Sequence, residues 1–285
     1  MHILVTNDDG IGSAGLAVLA RAALDRGHRV KVAAPAEEYS GASASLSGQE
    51  VDGKIALVPA CPPGMPAGVE CVGVKAAPAL IAFLASYGAF GEVPDMVLSG
   101  VNLGANTGKA TLHSGTVGAV LTAASHGIPG IAVSITSGQP QHWETALLVT
   151  RFALKRWEKR PFDDRILNIN VPDVAPQRLR GLRPAVLASF GAVQAQTHRG
   201  DVGHIGVTYS AETGPEEPNS DHYLLTHGWA TATLLRAPVN DTNETLHVIK
   251  PRTMGIMDSL ADTSAETSAE EGAVAVDAAT VMRKG

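Results

Sequence analysis

Short apolar runs alternate with stretches whose apolar residues recur at helical spacing over the first 135 residues, a pattern that predicts a mostly parallel sheet covered by helices. "HILVT" at the N-terminus predicts a strand. "GLAVLARAALDRGH" follows as a helix, with Leu16, Leu19, Ala20, Ala23 and Leu24 on one face and Gly27 near its end. "RVKVAAP" predicts a second strand, closed by Pro35. "APALIAFLASYG" predicts a helix, "PDMVLSG" a strand running into Gly100, "GTVGAVLTAASHG" another helix and "IPGIAVSI" another strand. Four parallel strands are expected in this part of the chain.

The later pattern is less regular. "WETALLVTRFALKRWEKR" is amphipathic and helical, "RILNINVP" predicts a strand, and "HGWATATLLRAPV" a late strand returning to the body. Between them, residues 181–210 alternate and are rich in Val, Thr and Gly, which predicts a β-hairpin arm centred on "HRGDVG". From Asp258 the chain is poor in large apolar groups and rich in Ala, Ser, Thr and acid, so a mobile tail is expected over 258–285. Met254, Ile256, Met257 and Leu260 could anchor a short helix before it. The expected organisation is one α/β domain over residues 1–257 followed by the tail.

Composition narrows the possibilities. Only 4% of residues are aromatic, so the core must be built from Ala, Val, Leu and Ile. A formal net charge of −6 disfavours a broad nucleic-acid face but not a small anionic substrate, because local fields at a site outweigh the global sum. The two cysteines, Cys61 and Cys71, are expected as ordinary thiols, since nothing marks a disulfide-stapled secreted domain. No leader-like features open the chain, and no run approaches the roughly 20 apolar residues of a membrane span, so a cytoplasmic location is expected.

The chemistry gathers at the ends of the strands. In an open parallel sheet, ligands bind where the strands deliver their carboxyl ends. The first strand presents Asn7, Asp8 and Asp9; the second leads to Ser40 and Ser43; "PDMVLSGVNLGANTG" offers Asn102 and Asn106; "LHSGTVG" offers His113, Ser114 and Thr116 at a helix start. Adjacent carboxylates repel and are costly to desolvate unless a cation offsets them. Two carboxylates with neutral oxygen ligands suit Mg²⁺ or Mn²⁺ better than zinc. The free N–H groups of "SGT" suit a phosphate. Taken singly, these features read as a turn, a helix cap and loop residues; together they lay out metal-assisted phosphoryl transfer. A haloacid-dehalogenase-type phosphatase separates its aspartates by one residue, and a dinucleotide-binding fold needs G-x-G-x-x-G at the first turn; "NDDGIGSAG" fits neither.

"ILVTNDDGI", "AAP…YSGAS", "PDMVLSGVNLGANTG", "HSGTVGA" and "ILNINVP" occur in the order and spacing of the survival protein E (SurE) family of nucleotide phosphatases, which the chain resembles over about residues 1–172. The resemblance implies a doubly wound, Rossmann-like α/β body with a protruding hairpin and swapped C-terminal elements supporting a homodimer or homotetramer. It implies one divalent metal ion per subunit, Mg²⁺ or Mn²⁺, held by Asp8, Asp9, Ser40 and Asn102. Asn106, Ser114, Gly115 and Thr116 would then surround the phosphate. The implied reaction is hydrolysis of a nucleoside monophosphate, with Asp9 nearest the attacking water and Asp8 mainly a ligand. Stable nucleic-acid or membrane partners are not expected. The chain departs from the family pattern mainly on the substrate side. "GMPAGVECV" replaces a "GTPADCV"-like stretch, the hairpin is comparatively apolar with Arg199 near its tip, and "GWATATLL" places Trp229 where tyrosine is common. A phosphatase of a non-nucleotide intermediate is therefore a second reading. A non-catalytic nucleotide-binding regulator is a third, disfavoured because a pure binder has little need of a metal beside phosphate.

Overall fold

The computed structural model describes residues 1–159, 164–190, 194–199, 205–210 and 216–238. The chain opens with β1 (His2–Thr6), α1 (Ala14–Leu24) and β2 (Arg29–Pro35). Two short strands, β3 (Glu50–Val51) and β4 (Lys54–Ile55), pair with each other, and β5 (Leu57–Val58) lies antiparallel to β6 (Glu70–Val74). Next come α2 (Pro78–Ser86), β7 (Met96–Leu103), α3 (Gly115–Ser125), β8 (Gly130–Ile135), α4 (Trp143–Trp157) and β9 (Arg165–Val171). The remaining described strands and α-helix are β10 (Leu182–Pro184), β11 (Gln194–Arg199), β12 (Ile205–Ser210), α5 (Asp221–Thr226) and β13 (Ala230–Arg236), and short 3-10 turns cover Lys109–His113 and Pro176–Arg178.

Nine strands form the main sheet in the order β10-β13-β9-β8-β7-β1-β2-β6-β5. The strands from β9 through β6 in that order are mutually parallel, while β13 runs antiparallel to β9 and β5 antiparallel to β6. Alternation along each strand divides the core between two faces. Ile3, Val5, Val32, Leu98, Ile131, Val133 and Ile169 pack with residues of α1 and α4 on one side. Leu4, Ala33, Val74, Val97, Ala132 and Ile166 pack with residues of α2 and α3 on the other. Helices cover both faces, as the parallel connections require.

Most elements fall where the hydrophobic pattern puts them, but some do not. Five parallel strands, not four, lie within the first 135 residues, because β6 joins beside β2. Its sequence, "ECVGV", follows a Pro- and Gly-rich stretch that reads as loop and is held as a strand by pairing on both sides. Leu182–Pro184 pairs with β13 in the main sheet and so is not part of the arm, whose described antiparallel strands are Gln194–Arg199 and Ile205–Ser210. Cys61 and Cys71 are joined in a disulfide with Cα atoms 5.1 Å apart, where two independent thiols were expected. The swapped C-terminal elements, the short helix around Met254–Leu260, the domain limit at 257 and the acidic tail lie outside the described residues.

An ion-pair cluster fastens α4 to the α1–β2 connection. Arg26 donates from Nε to Glu158 Oε2 at 3.0 Å and from Nη2 to Oε1, and His28 Nε2 lies 3.0 Å from Oε2. The Arg26 hydrogen bond leads in holding the Glu158 carboxyl below its ordinary range. A depressed carboxyl stabilises the fold above its unfolded pKa, and that contribution disappears as pH falls through the folded value. Glu158→Gln is therefore expected to cost about 1 kcal/mol near neutral pH. In urea melts the difference from wild type should vanish once the pH is below the ordinary carboxylate range.

Candidate active site

The site forms where the strand order reverses. From β1 the chain proceeds outward to β2 on one side, while β7 occupies the other, with Thr6 opposite Ser99 at the carboxyl end of the pair. Such a switch point opens a crevice at the carboxyl ends of the strands. Asn7 is buried and its Nδ2 donates to the carbonyl of Gly10 at 3.0 Å, turning the chain after β1. Gly10 takes a φ of +91° in that turn, where a side chain would be strained. The turn is tied to the loop after β2, because the Ile11 N–H donates to Pro35 O at 2.7 Å and the Tyr39 N–H to Asp8 O at 2.8 Å.

Asp8 is buried and its carboxylate is committed to α3. The Thr116 N–H donates to Asp8 Oδ2 at 3.0 Å, and the Thr116 hydroxyl donates to Oδ1. A side chain at Gly115 would place its Cβ 2.9 Å from both Cβ and Oδ2 of Asp8, so only glycine lets the helix end approach this closely. Burial pushes the Asp8 carboxyl above its ordinary value, opposed by the Thr116 hydroxyl and by backbone N–H groups including those of Thr116 and Gly115. The anion at the α3 N-terminus is thus a side chain of the protein itself. Ser114 caps the same helix, its Oγ accepting the Val117 N–H at 3.1 Å.

Asp9 is less constrained. Its pKa is pushed up to about 7, first by burial and then by the charge of Asp8, with Glu38 adding and the Leu103 backbone N–H opposing. Its Oδ2 is buried and has no hydrogen-bond partner. These neighbours set Asp9 between the end of β7 and the loop carrying Glu38 and Ser40. The Ser40 hydroxyl donates to Glu38 Oε1 at 2.6 Å. Asn102 donates from Nδ2 to Gly104 O at 2.7 Å, which leaves its Oδ1 available as a ligand. The loop of Ser40 and Ser43 is braced against the 3-10 turn Lys109–His113 that leads into α3: the Ser43 hydroxyl donates to Leu112 O at 2.7 Å and the Ser43 N–H to the carbonyl of exposed His113 at 3.3 Å.

The pair fits a divalent cation. A desolvated, mutually repelling carboxylate pair with an unpartnered oxygen is what a cation would relieve, and the surrounding neutral donors are oxygens. Among the described residues no three His, Cys, Asp or Glu side chains gather to hold a metal, so neutral ligands such as Asn102 Oδ1 and Ser40 Oγ would have to complete the shell.

The structure therefore brings Asp8, Asp9, Gly115 and Thr116 together with the end of β7, and places Ser40 in the adjoining loop. Asn106 is fixed by a separate framework. Its N–H donates to Asn170 Oδ1 at 2.7 Å, its Nδ2 to Ser134 Oγ at 2.9 Å, and its carbonyl accepts from Asn168 and Asn170. Glu38, Ser134, Asn168, Asn170 and Asp221 are site or support residues that sequence reasoning did not single out. For the two asparagines a signal existed, since "LNIN" puts amides at alternate positions of an otherwise apolar strand. Trp229 is half-buried, and the guanidinium carbons of Arg180 and Arg183 lie 4.9 and 5.3 Å from its ring centre.

Comparison with known proteins finds one family. The family model described as "Survival protein SurE" matches residues 3–194. The chain is 35% identical over 237 residues to a protein named 5′-nucleotidase SurE from Alkalilimnicola ehrlichii, covering 82% of this chain and 88% of that one. It is 34% identical over 246 residues to the protein of the same name from Methylococcus capsulatus, covering 83% and 91%. The crystal structure of the SurE protein from Aquifex aeolicus superposes with a TM-score of 0.70 at 25% identity, covering 85% of this chain and 95% of that one.

Proposed function

Because the chain belongs to the SurE family, we propose that it is a metal-dependent phosphoric monoester hydrolase of the 5′-nucleotidase type, releasing inorganic phosphate from nucleoside monophosphates. The observation that carries this reading is the adjacent Asp8–Asp9 pair at the strand switch point, Asp8 buried and Asp9 half-buried with its Oδ2 unpartnered. Asp8, Asp9, Asn102 and Ser40 would hold one Mg²⁺ or Mn²⁺ per subunit. Such an ion supplies Lewis-acid activation of the phosphoryl group and of water.

The protein's own groups have distinct tasks in this reading. Asp8, locked by Thr116 and the α3 N-terminus, is a fixed ligand. Asp9, whose Oδ2 lacks a protein partner, is the carboxylate that takes the proton of the attacking water. The second N–H of the Asn106 amide, beyond the one given to Ser134, donates to an equatorial phosphate oxygen and stabilises charge developing there. Ser114, Gly115 and Thr116 bear on the phosphate mainly through Asp8 and the helix cap, which use the Ser114 hydroxyl and the Thr116 polar groups. Among the described residues no helix is long and apolar enough to cross a membrane. A cytoplasmic homodimer or homotetramer, a single α/β domain ending near 257 and an acidic tail beyond it complete the proposal.

The test is phosphate release from 5′- and 3′-nucleoside monophosphates, sugar phosphates and an aryl phosphate, each with Mg²⁺, Mn²⁺ or chelator. Release should require metal and favour a nucleoside monophosphate. A clear preference for a sugar phosphate would move the substrate to the non-nucleotide class. Absence of release from every substrate, in folded protein loaded with either metal, would overturn the assignment as a general phosphatase.

A further inference from the structure

We propose that Asn168 and Asn170 are positioning residues for catalysis, forming a buried amide cradle that fixes Asn106 so that its free N–H meets the phosphate. The inference rests on the reading of Asn106 as a phosphate donor and extends it to residues three strands away from the aspartates.

Both asparagines are fully buried on β9, an interior strand flanked by β8 and β13. They share a face with Ile166, which packs in the apolar layer beneath α2 and α3. A buried amide is costly unless every polar atom is matched, so an apolar side chain would serve packing better at these positions. The matches lead to one residue. Asn168 Nδ2 donates to Asn106 O at 2.9 Å, and Asn168 Oδ1 is buried without a partner. Asn170 receives the Asn106 N–H on Oδ1 at 2.7 Å and donates from Nδ2 to Asn106 O at 3.0 Å.

Both backbone groups of Asn106 are thus satisfied by side chains, in a loop with no ladder to hold them. Its side chain is fixed by a second strand, through Nδ2 to Ser134 Oγ at 2.9 Å with Ser134 fully buried on β8. A primary amide carries two hydrogens, so this bond orients the second without consuming it. The cradle leaves Asn106 one free donor and little freedom to aim it elsewhere, which is how a phosphate-binding group is preorganised. The orphaned Asn168 oxygen marks a residue kept for what it holds and not for the stability of the strand.

Asn168→Leu tests this, because Asn106 O keeps Asn170 as a donor and the unpartnered oxygen is removed. The variant should melt within a few degrees of wild type. Its kcat/KM for the best substrate should nevertheless fall by about 10- to 100-fold, with inhibition by inorganic phosphate weakened in parallel. Asn168→Ala makes the same comparison if leucine overfills the site. The deciding measurement is the double variant with Asn106→Ala. If Asn168 acts through the Asn106 amide, Asn168→Leu costs nothing further in that background. An equal fold-loss in both backgrounds would make Asn168 merely structural and overturn the inference, while leaving Asn106 as a phosphate ligand. Unchanged activity of Asn106→Ala alone would overturn the underlying assignment.

Discussion

Asp9→Asn is expected to lower metal-dependent phosphate release by about 10³-fold or more and at the same time to make the metal-free protein more stable. The loss of activity follows from removing both a ligand charge and the acceptor for the proton of water. The gain in stability follows from the cost of the native carboxylate. Asp9 titrates near 7 in the fold against an ordinary 3.8, so the metal-free native state retains a proton that the unfolded chain has released. Stability therefore declines as pH rises from about 4 to about 7, and is flat above that. A displacement of that size corresponds to at most about 4 kcal/mol, and partial solvation brings the expected gain to about 2 kcal/mol. Melting wild type and variant in chelator from pH 5 to pH 8 measures it: the curves should diverge with rising pH, the variant melting higher. Equal melting at pH 8, or a variant that keeps its turnover, would contradict the placement of Asp9.

Asp221→Ala should produce the largest loss of stability, about 3 to 5 kcal/mol, read as a shift of the urea midpoint. Asp221 is fully buried in the first turn of α5. Its Oδ1 accepts the N–H groups of Ala188 at 2.9 Å and His222 at 2.8 Å, and the Gly108 N–H reaches both oxygens, the nearer at 3.0 Å. Alanine would strand three N–H groups, and a side chain at Gly108 could not compensate, because its Cβ would meet Phe190 O at 1.8 Å. Asp221→Asn keeps Oδ1 and removes a desolvated charge, so it should cost less than half as much. Activity should fall with stability in the alanine variant, since Gly108 lies two residues beyond Asn106. If the two variants melt alike, the carboxylate is not the organiser of this junction.

The sheet and its helices were legible because their apolar periodicities are long and uninterrupted. β1 and β2 coincide with the segments that read as strands, "HILVT" and "RVKVAAP". β6 was hidden because its five residues contain Cys and Gly and follow prolines, and only its neighbours make them a strand. α5 was hidden for a related reason: six residues are too few to show a helical period. At the site, the acid pair and the oxygen-rich loops were readable as residue types. Their division of labour was not. Whether Thr116 faces a phosphate or Asp8 depends on how closely Gly115 lets α3 approach β1, a distance that no local pattern encodes. Asn168 and Asn170 were visible as a repeat, but their target, Asn106, lies more than sixty positions away.

The position of β1 has a consequence for how the site exchanges with solvent. Strands flank β1 on both sides and its residues Ile3 to Thr6 are almost wholly inaccessible, so its amides should exchange hydrogen only through global unfolding, among the slowest in the protein. Asp8 and Asp9 are carried on the end of that protected segment. Opposite them, Glu38 and Ser40 lie on a loop that is open to water. The pair thus sits between a wall protected from solvent, which carries the aspartates, and an exposed one, which carries Glu38 and Ser40.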